Sequence, residues 1–247
     1  MGDVATAPLT ADAEVIPPLN DGDRLDREEF HRRYEAMGPG VRAELIEGIV
    51  YLYDNDEMAS PVSLNAHASP HFLVSGWLMH YVARTPGLIA GIDGSVLLDG
   101  INEPQPDVLL GIPTSAGGQT EVVTRSGKEY VAGGPELVVE VSASTARVDL
   151  NAKLRAYARN GVREYLVVLA DRKPAEVRWF TLDPVGEPTP IELKEDALES
   201  RVFPGLRLDP TALIAGDAAR LLVELDEGLS AQPHADFAGR VRLTKSS

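Results

Sequence analysis

Three features of the sequence predict an α/β domain built on a mixed central β-sheet flanked by helices. Residues 136–142 (ELVVEVS) are almost continuously apolar, as a strand covered on both faces requires. An amphipathic stretch at 149–160 and a second apolar run at 163–169 follow it. Such a strand–helix–strand unit pairs its strands in parallel through a right-handed crossover. Hairpin-like and peripheral β-rich segments on either side supply extra antiparallel strands, and helices are expected near the C-terminus.

Residues 1–24 are rich in Ala, Pro, Thr and Asp without a hydrophobic period and read as a disordered arm. Residues 25–37 carry a helical period that stops at Gly38-Pro39-Gly40. Residues 43–53 (AELIEGIVYLY) are two β-rich runs about Glu47-Gly48, a hairpin. A polar connection over 54–70 leads to a helix at 71–83, stopped by Thr85-Pro86-Gly87. Short strands are expected at 88–92 and 95–98 about Asp93-Gly94. Another is expected at 105–112, where Pro106 is tolerated because it stands at the start. Residues 113–127 read as a Gly/Ser/Thr loop, a flexible flap. The helix at 149–160 has Gly161 beyond its end as a cap. Its Leu150, Leu154 and Ala158 are expected to form the core-facing stripe. Peripheral strands at 176–182 and 189–193, a turn at Phe203-Pro204-Gly205 and one or two helices over 210–228 complete the pattern. The expected organisation is an arm (1–24), one domain (25–229) and a weakly patterned tail (230–247).

Composition narrows the function. Hydrophobic residues at 44% provide a globular core, and no run reaches the ~18 to 20 apolar residues that span a bilayer. The first residues lack the basic start and apolar stretch of a secretory signal. With no cysteine, disulfides, thiol nucleophiles and Cys-type zinc sites are excluded, and a cytoplasmic location is expected. The net charge of −15, from 38 acids against 23 bases, opposes tight DNA binding by the whole surface, because such affinity depends on phosphate neutralisation. A local basic groove or a metal-filled acidic cleft stays open.

The chemistry concentrates on three residues. Glu140 lies within an apolar run, where a carboxylate is costly unless it is paired or binds a metal. A strand-end glutamate reaching solvent or an arginine is the alternative. Asp107 opens the strand after Pro106; it suits either a turn hydrogen bond or a ligand. Two carboxylates at the ends of neighbouring strands can share a hard divalent cation such as Mg²⁺. On the helix, Asp149, Lys153 and Tyr157 fall on one face at i, i+4, i+8. Lys153 then either pairs with Asp149 at the surface or points at a metal-bound water. Other templates fail: 54–57 (DNDE) lacks the EF-hand Gly and Glu, and there is no G-x-S-x-G elbow or phosphate loop. His67 and His71 have zinc-pair spacing, but Pro70 interrupts their helix and no H-E-x-x-H glutamate is present.

Pro106-Asp107, ELVVEVSAST at 136–145, D-x-x-x-K-x-x-x-Y at 149–157 and GVREYLVV at 161–168 together resemble the Uma-type family of restriction-endonuclease-like proteins, in the PD-(D/E)XK nuclease superfamily. AELIEG at 43–48, the stretch near His67 and FPGLRLD at 203–209 extend the likeness over roughly 27–215. The resemblance implies a metal-dependent phosphodiesterase acting on nucleic acid, DNA in the first instance, with Mg²⁺ or Mn²⁺. Asp107 and Glu140 match the two acidic ligands, and Glu44 matches an upstream glutamate that either completes the metal shell or is a surface strand residue. Glu47, in its Glu-Gly turn, is a weaker candidate. Ser142 occupies the usual lysine position, so the resemblance moves that role to Lys153. His67 matches a family histidine, Gln105 is placed to donate a hydrogen bond near the metal, and Tyr157 sets its hydroxyl at the edge of the site. Cleavage of two strands favours a homodimer. The competing expectation is an inactive nuclease fold that binds nucleic acid or a protein partner.

Overall fold

The computed structural model describes residues 15–53, 63–143, 145–185 and 187–243. Helix α1 (Arg27–Ala36) begins at Asp26, whose carboxylate accepts the Glu29 N–H at 2.9 Å. Strands β1 (Arg42–Ile46) and β2 (Ile49–Tyr53) form the expected hairpin. Glu47 and Gly48 both have positive φ (53° and 75°), the conformation of a tight two-residue hairpin turn. Helix α2 (Ser69–Arg84) leads to β3 (Ile89–Ile92), β4 (Val96–Leu97) and β5 (Val108–Gly111). Strands β6 (Glu121–Arg125), β7 (Lys128–Ala132) and β8 (Leu137–Val141) follow. The crossover contains α3 (Ala146–Val148), a π-helical turn (Asp149–Lys153) and α4 (Leu154–Arg159). Strands β9 (Glu164–Leu169), β10 (Glu176–Thr181), β11 (Thr189–Pro190), β12 (Leu198–Glu199) and β13 (Arg207–Leu208) precede α5 (Pro210–Ala215), α6 (Ala218–Leu229) and α7 (Gln232–Leu243).

The central sheet runs β11-β10-β9-β8-β5-β3. It is mixed: β8 and β9 are parallel in the register Val139↔Leu166, and the remaining pairs are antiparallel. Side chains alternate across it. Val139, Val141, Leu166 and Val168 pack with α2, α5, α6 and α7 in the larger core, which contains Trp77, Phe203 and Phe237. Val138, Tyr165 and Val167 face the crossover helix and Tyr157. A third cluster joins α1 to the β1–β2 hairpin through Phe30, Leu45 and Val50. Among the described residues, no helix is long and apolar enough to cross a membrane.

Several elements differ from the sequence expectation. Residues 113–127 are not an open flap: Glu121–Arg125 pairs antiparallel with Lys128–Ala132, so the polar stretch is half of a hairpin. Strands β3 and β4 part after Asp93-Gly94, β3 joining the central sheet and β4 pairing parallel with β7. Within the expected arm, Leu19 is buried and the Gly22 N–H bonds to Val50 O at 2.8 Å, so 19–24 pack against the hairpin. Within the expected tail, Gln232–Leu243 is helical and buries Phe237 and Val241. On the crossover helix the most deeply buried face carries Asp149, Lys153 and Tyr157; of the expected stripe Ala158 is buried, and Leu150 and Leu154 are half-buried against the same cluster. The 54–57 acidic run lies outside the described residues.

Candidate active site

Asp107 directly precedes β5, whose Val108 pairs with Val139, so Asp107 and Glu140 stand at neighbouring ends of β5 and β8. By strand alternation both face the crossover helix. Glu44 arrives on that face from β1, where Tyr51 is its cross-strand partner. The four groups Glu44, Glu140, Asp149 and Lys153 are all buried. Lys153 Nζ lies 2.9 Å from Glu44 Oε2, 3.1 Å from Glu140 Oε1 and 3.5 Å from Asp149 Oδ1. Three carboxylates therefore share one ammonium. The Asp149–Lys153 pair does exist, but in the interior and with two further acids. The π-helical turn that carries it is a widening often found at functional positions.

The remaining hydrogen bonds sort the carboxylates. Glu44 is saturated: Oε1 accepts the Gln105 backbone N–H at 2.6 Å, and Oε2 accepts the Tyr53 hydroxyl at 2.7 Å as well as Lys153. Glu140 Oε1 takes both Lys153 and the Tyr157 hydroxyl, the latter at 2.9 Å. Asp107 Oδ2 accepts the Val141 N–H at 2.6 Å. Burial, opposed by Lys153 and reinforced by Asp149, Asp107 and Glu44, pushes the Glu140 carboxyl well above its usual range. Burial also raises Asp149. It acts on Glu44 in the same sense, but there Lys153, Arg42 and the two hydrogen bonds outweigh it and lower the carboxyl. Burial works against the Lys153 charge, yet Glu140, Glu44 and Asp149 raise its pKa well above that of a free lysine. Lys153 is thus a fixed cation, and Glu140 is the acid most ready to hold a proton.

Arg42, two residues before Glu44 and so on the same strand face, was not singled out by the sequence. Its guanidinium donates to Gln105 O at 2.8 Å and lies 3.7 Å from Asp107 Oδ1 and 3.9 Å from Asp93 Oδ1. It also sits over the Tyr53 ring at 5.7 Å. Beside it, ligand atoms of His71, Asp93 and Asp107 lie within 4.8 Å of one another. This is a donor set of two carboxylates and an imidazole, and it suits a divalent cation. Glu44, with every contact already made, fits such a shell less well than Asp107. The cavity at this mouth is about 390 Å³ and is lined by Arg42, His67, His71, Asp93 and Gln105.

The other expected residues are accounted for as follows. His67 Nδ1 is 3.0 Å from Val141 O, and its ring is 5.4 Å from that of His71. The Gln105 side chain turns away from the carboxylates to the Tyr34 and Ser95 hydroxyls, leaving its backbone N–H at Glu44. Tyr157 is packed beneath Glu140 in the interior. Glu47 faces Arg155 and Arg159 outside this centre.

The mixed sheet thus brings carboxylates at adjacent strand ends together with a buried lysine from the crossover helix. The chain belongs to the Uma2 family, described as "Putative restriction endonuclease", which matches residues 27–211. Among solved structures, it is similar to a "putative nuclease belonging to DUF820" from Anabaena variabilis. That likeness has 11% identity and a TM-score of 0.49, covering 78% of this chain and 97% of the other. No curated protein matches this chain significantly.

Proposed function

We propose that this chain is a metal-dependent endonuclease that hydrolyses phosphodiester bonds in DNA, acting in the cytoplasm with Mg²⁺ or Mn²⁺. The observation that carries the reading is the buried Lys153 between Glu140 and Glu44, with Asp107 on the strand beside Glu140 and its neighbours Arg42, His71 and Asp93 lining the open mouth. Asp107 and Glu140 are the acidic ligands, His71 and Asp93 extend the donor set, and Glu44 acts by holding Lys153. A bound divalent cation supplies Lewis acidity and a water of lowered pKa. The Val141 N–H fixes one Asp107 oxygen and Arg42 flanks the other. Lys153 and Tyr157 fix Glu140 through its Oε1. Arg42, at the mouth, offers a guanidinium for a phosphate oxygen. Lys153 stays charged and stabilises negative charge gathered near Glu140. A homodimer supplies the two centres that cleavage of both strands requires.

The test is incubation of supercoiled plasmid with and without Mg²⁺ or Mn²⁺, alongside Asp107→Ala and Glu140→Ala. Metal-dependent nicking that each substitution reduces by about a hundredfold or more is expected. Nicking that survives both substitutions sinks the assignment. The net charge of −15 favours one competing reading, a nuclease fold that binds a partner without cleaving. Absence of nicking together with absence of metal binding in calorimetry selects it.

A further inference from the structure

At the end of the sheet opposite Asp107, three arginines from separate elements line a cavity of about 290 Å³. Arg163 precedes β9, Arg201 lies in the turn after β12, and Arg240 is on α7. Ile112, Val202 and Phe237 form apolar parts of its wall. Arginines elsewhere, Arg155, Arg159, Arg207 and Arg220 among them, have carboxylate partners. Among the described residues, no carboxylate lines this cavity and none of the three guanidiniums has an acidic partner. Such a gathering of like charges in a chain of net charge −15 lacks its counter-charge.

The cavity is also held in shape. The buried Glu164 carboxylate accepts the Ser200 hydroxyl at 2.8 Å and the backbone N–H groups of Arg201 and Val202 at 2.5 and 3.1 Å. This fixes the turn that carries Arg201. Phe237 packs edge-on against Phe203 at 6.2 Å, and the Arg240 guanidinium lies 5.7 Å above the Phe237 ring. The turn that carries Arg201 and the ring beneath Arg240 are thereby fixed to the core, which reduces the ordering cost of binding.

We propose that this cavity is a binding site for a phosphate monoester, separate from the carboxylate centre. Guanidinium groups match phosphate oxygens in paired hydrogen bonds, and three of them suit a dianion better than a single carboxylate. The volume is near the lower limit of about 300 Å³ for small-ligand pockets, and the apolar wall accepts a flat ring. A mononucleotide and the phosphorylated end of a nucleic-acid strand both present this chemistry.

Calorimetric titration of the full chain at constant ionic strength tests the site, with inorganic phosphate, adenosine monophosphate and a short 5′-phosphorylated single strand as probes. Arg163→Gln/Arg240→Gln changes only exposed side chains, and retained circular dichroism verifies its fold. The double variant is expected to weaken binding by about tenfold or more. Arg155→Gln/Arg159→Gln, exposed arginines outside this cavity, leaves it unchanged. Loss with all three probes supports a site for free phosphomonoesters, and loss with the strand alone supports the strand end as the source. Binding that is equal in wild type and Arg163→Gln/Arg240→Gln, or absent for every probe at about 10 mM, overturns the proposal.

Discussion

Replacing Lys153 with methionine keeps the long unbranched stem and removes the ammonium. Its partners have nowhere else to turn: the side chains of Lys153, Glu44, Glu140 and Asp149 are 3%, 0%, 4% and 1% exposed. Removing one member of a buried ion pair costs about 3–5 kcal/mol, because the remaining charge is left without compensation. In a domain of this size each kcal/mol moves the melting temperature by ~2–4 °C, so a fall of roughly 6–20 °C is expected. Protonation moderates the loss. The Glu140 carboxyl is raised by burial even with Lys153 present, and rises further without it. A carboxyl with a raised folded pKa holds a proton that the unfolded chain releases. Stability therefore declines as pH climbs from the unfolded toward the folded value, and recovers toward acid. Thermal melting followed by circular dichroism at pH 6 and pH 8.5 measures this, and the deficit should be larger at pH 8.5. Adding Glu140→Gln to Lys153→Met should restore part of the loss and flatten its pH dependence. A shift below about 2 °C at both pH values, or a deficit that grows toward acid, would refute the shared-ammonium account.

Three further substitutions probe the scaffold. Burial raises the Glu164 carboxyl from 4.5 to about 7, against the opposing bonds from Ser200, Arg201 and Val202. Wild-type stability should therefore fall as pH rises through that interval, by up to about 3 kcal/mol from this group. Glu164→Gln should flatten that part of the urea-denaturation profile, and an unaltered slope contradicts the assignment. A Cβ on Gly134 would meet Asn160 O at 2.3 Å and Val162 N at 2.9 Å, both backbone atoms. Gly134→Ala should cost about 1–3 kcal/mol. Gly76→Ala, in α2 with no atom within 4 Å, should gain about 0.5–1 kcal/mol. Chemical denaturation showing the same sign for both substitutions would contradict the packing described.

Local patterns carried much of the fold. The apolar run at 137–141, the crossover helix and the apolar run at 164–169 could be read because both faces of the central strands are covered. Glu47-Gly48 announced its turn by residue type. Glu121–Arg125 falls in the expected 113–127 loop because it has no apolar alternation, and its strand character comes from cross-strand bonds to Lys128–Ala132, which itself pairs with β4. Helix Gln232–Leu243 has a weak period of its own and is fixed by the core into which Phe237 and Val241 insert.

The sequence by itself determined that Glu140 sits in a buried strand, that Asp107 opens its neighbour, and that Asp149, Lys153 and Tyr157 share a helix face. Only the tertiary structure decided which way that face points. Periodicity favours Leu150, Leu154 and Ala158 as the inward stripe; these do pack against the core, but the polar face is buried more deeply because Glu140 and Glu44 meet Lys153 there. The same holds for Arg42, His71 and Asp93, which come from different elements and gather near Asp107 only once the chain is folded. Hydrophobic pattern is a property of one segment. The burial of a charge depends on the counter-charges that distant segments bring within a few ångströms, and no single segment encodes that.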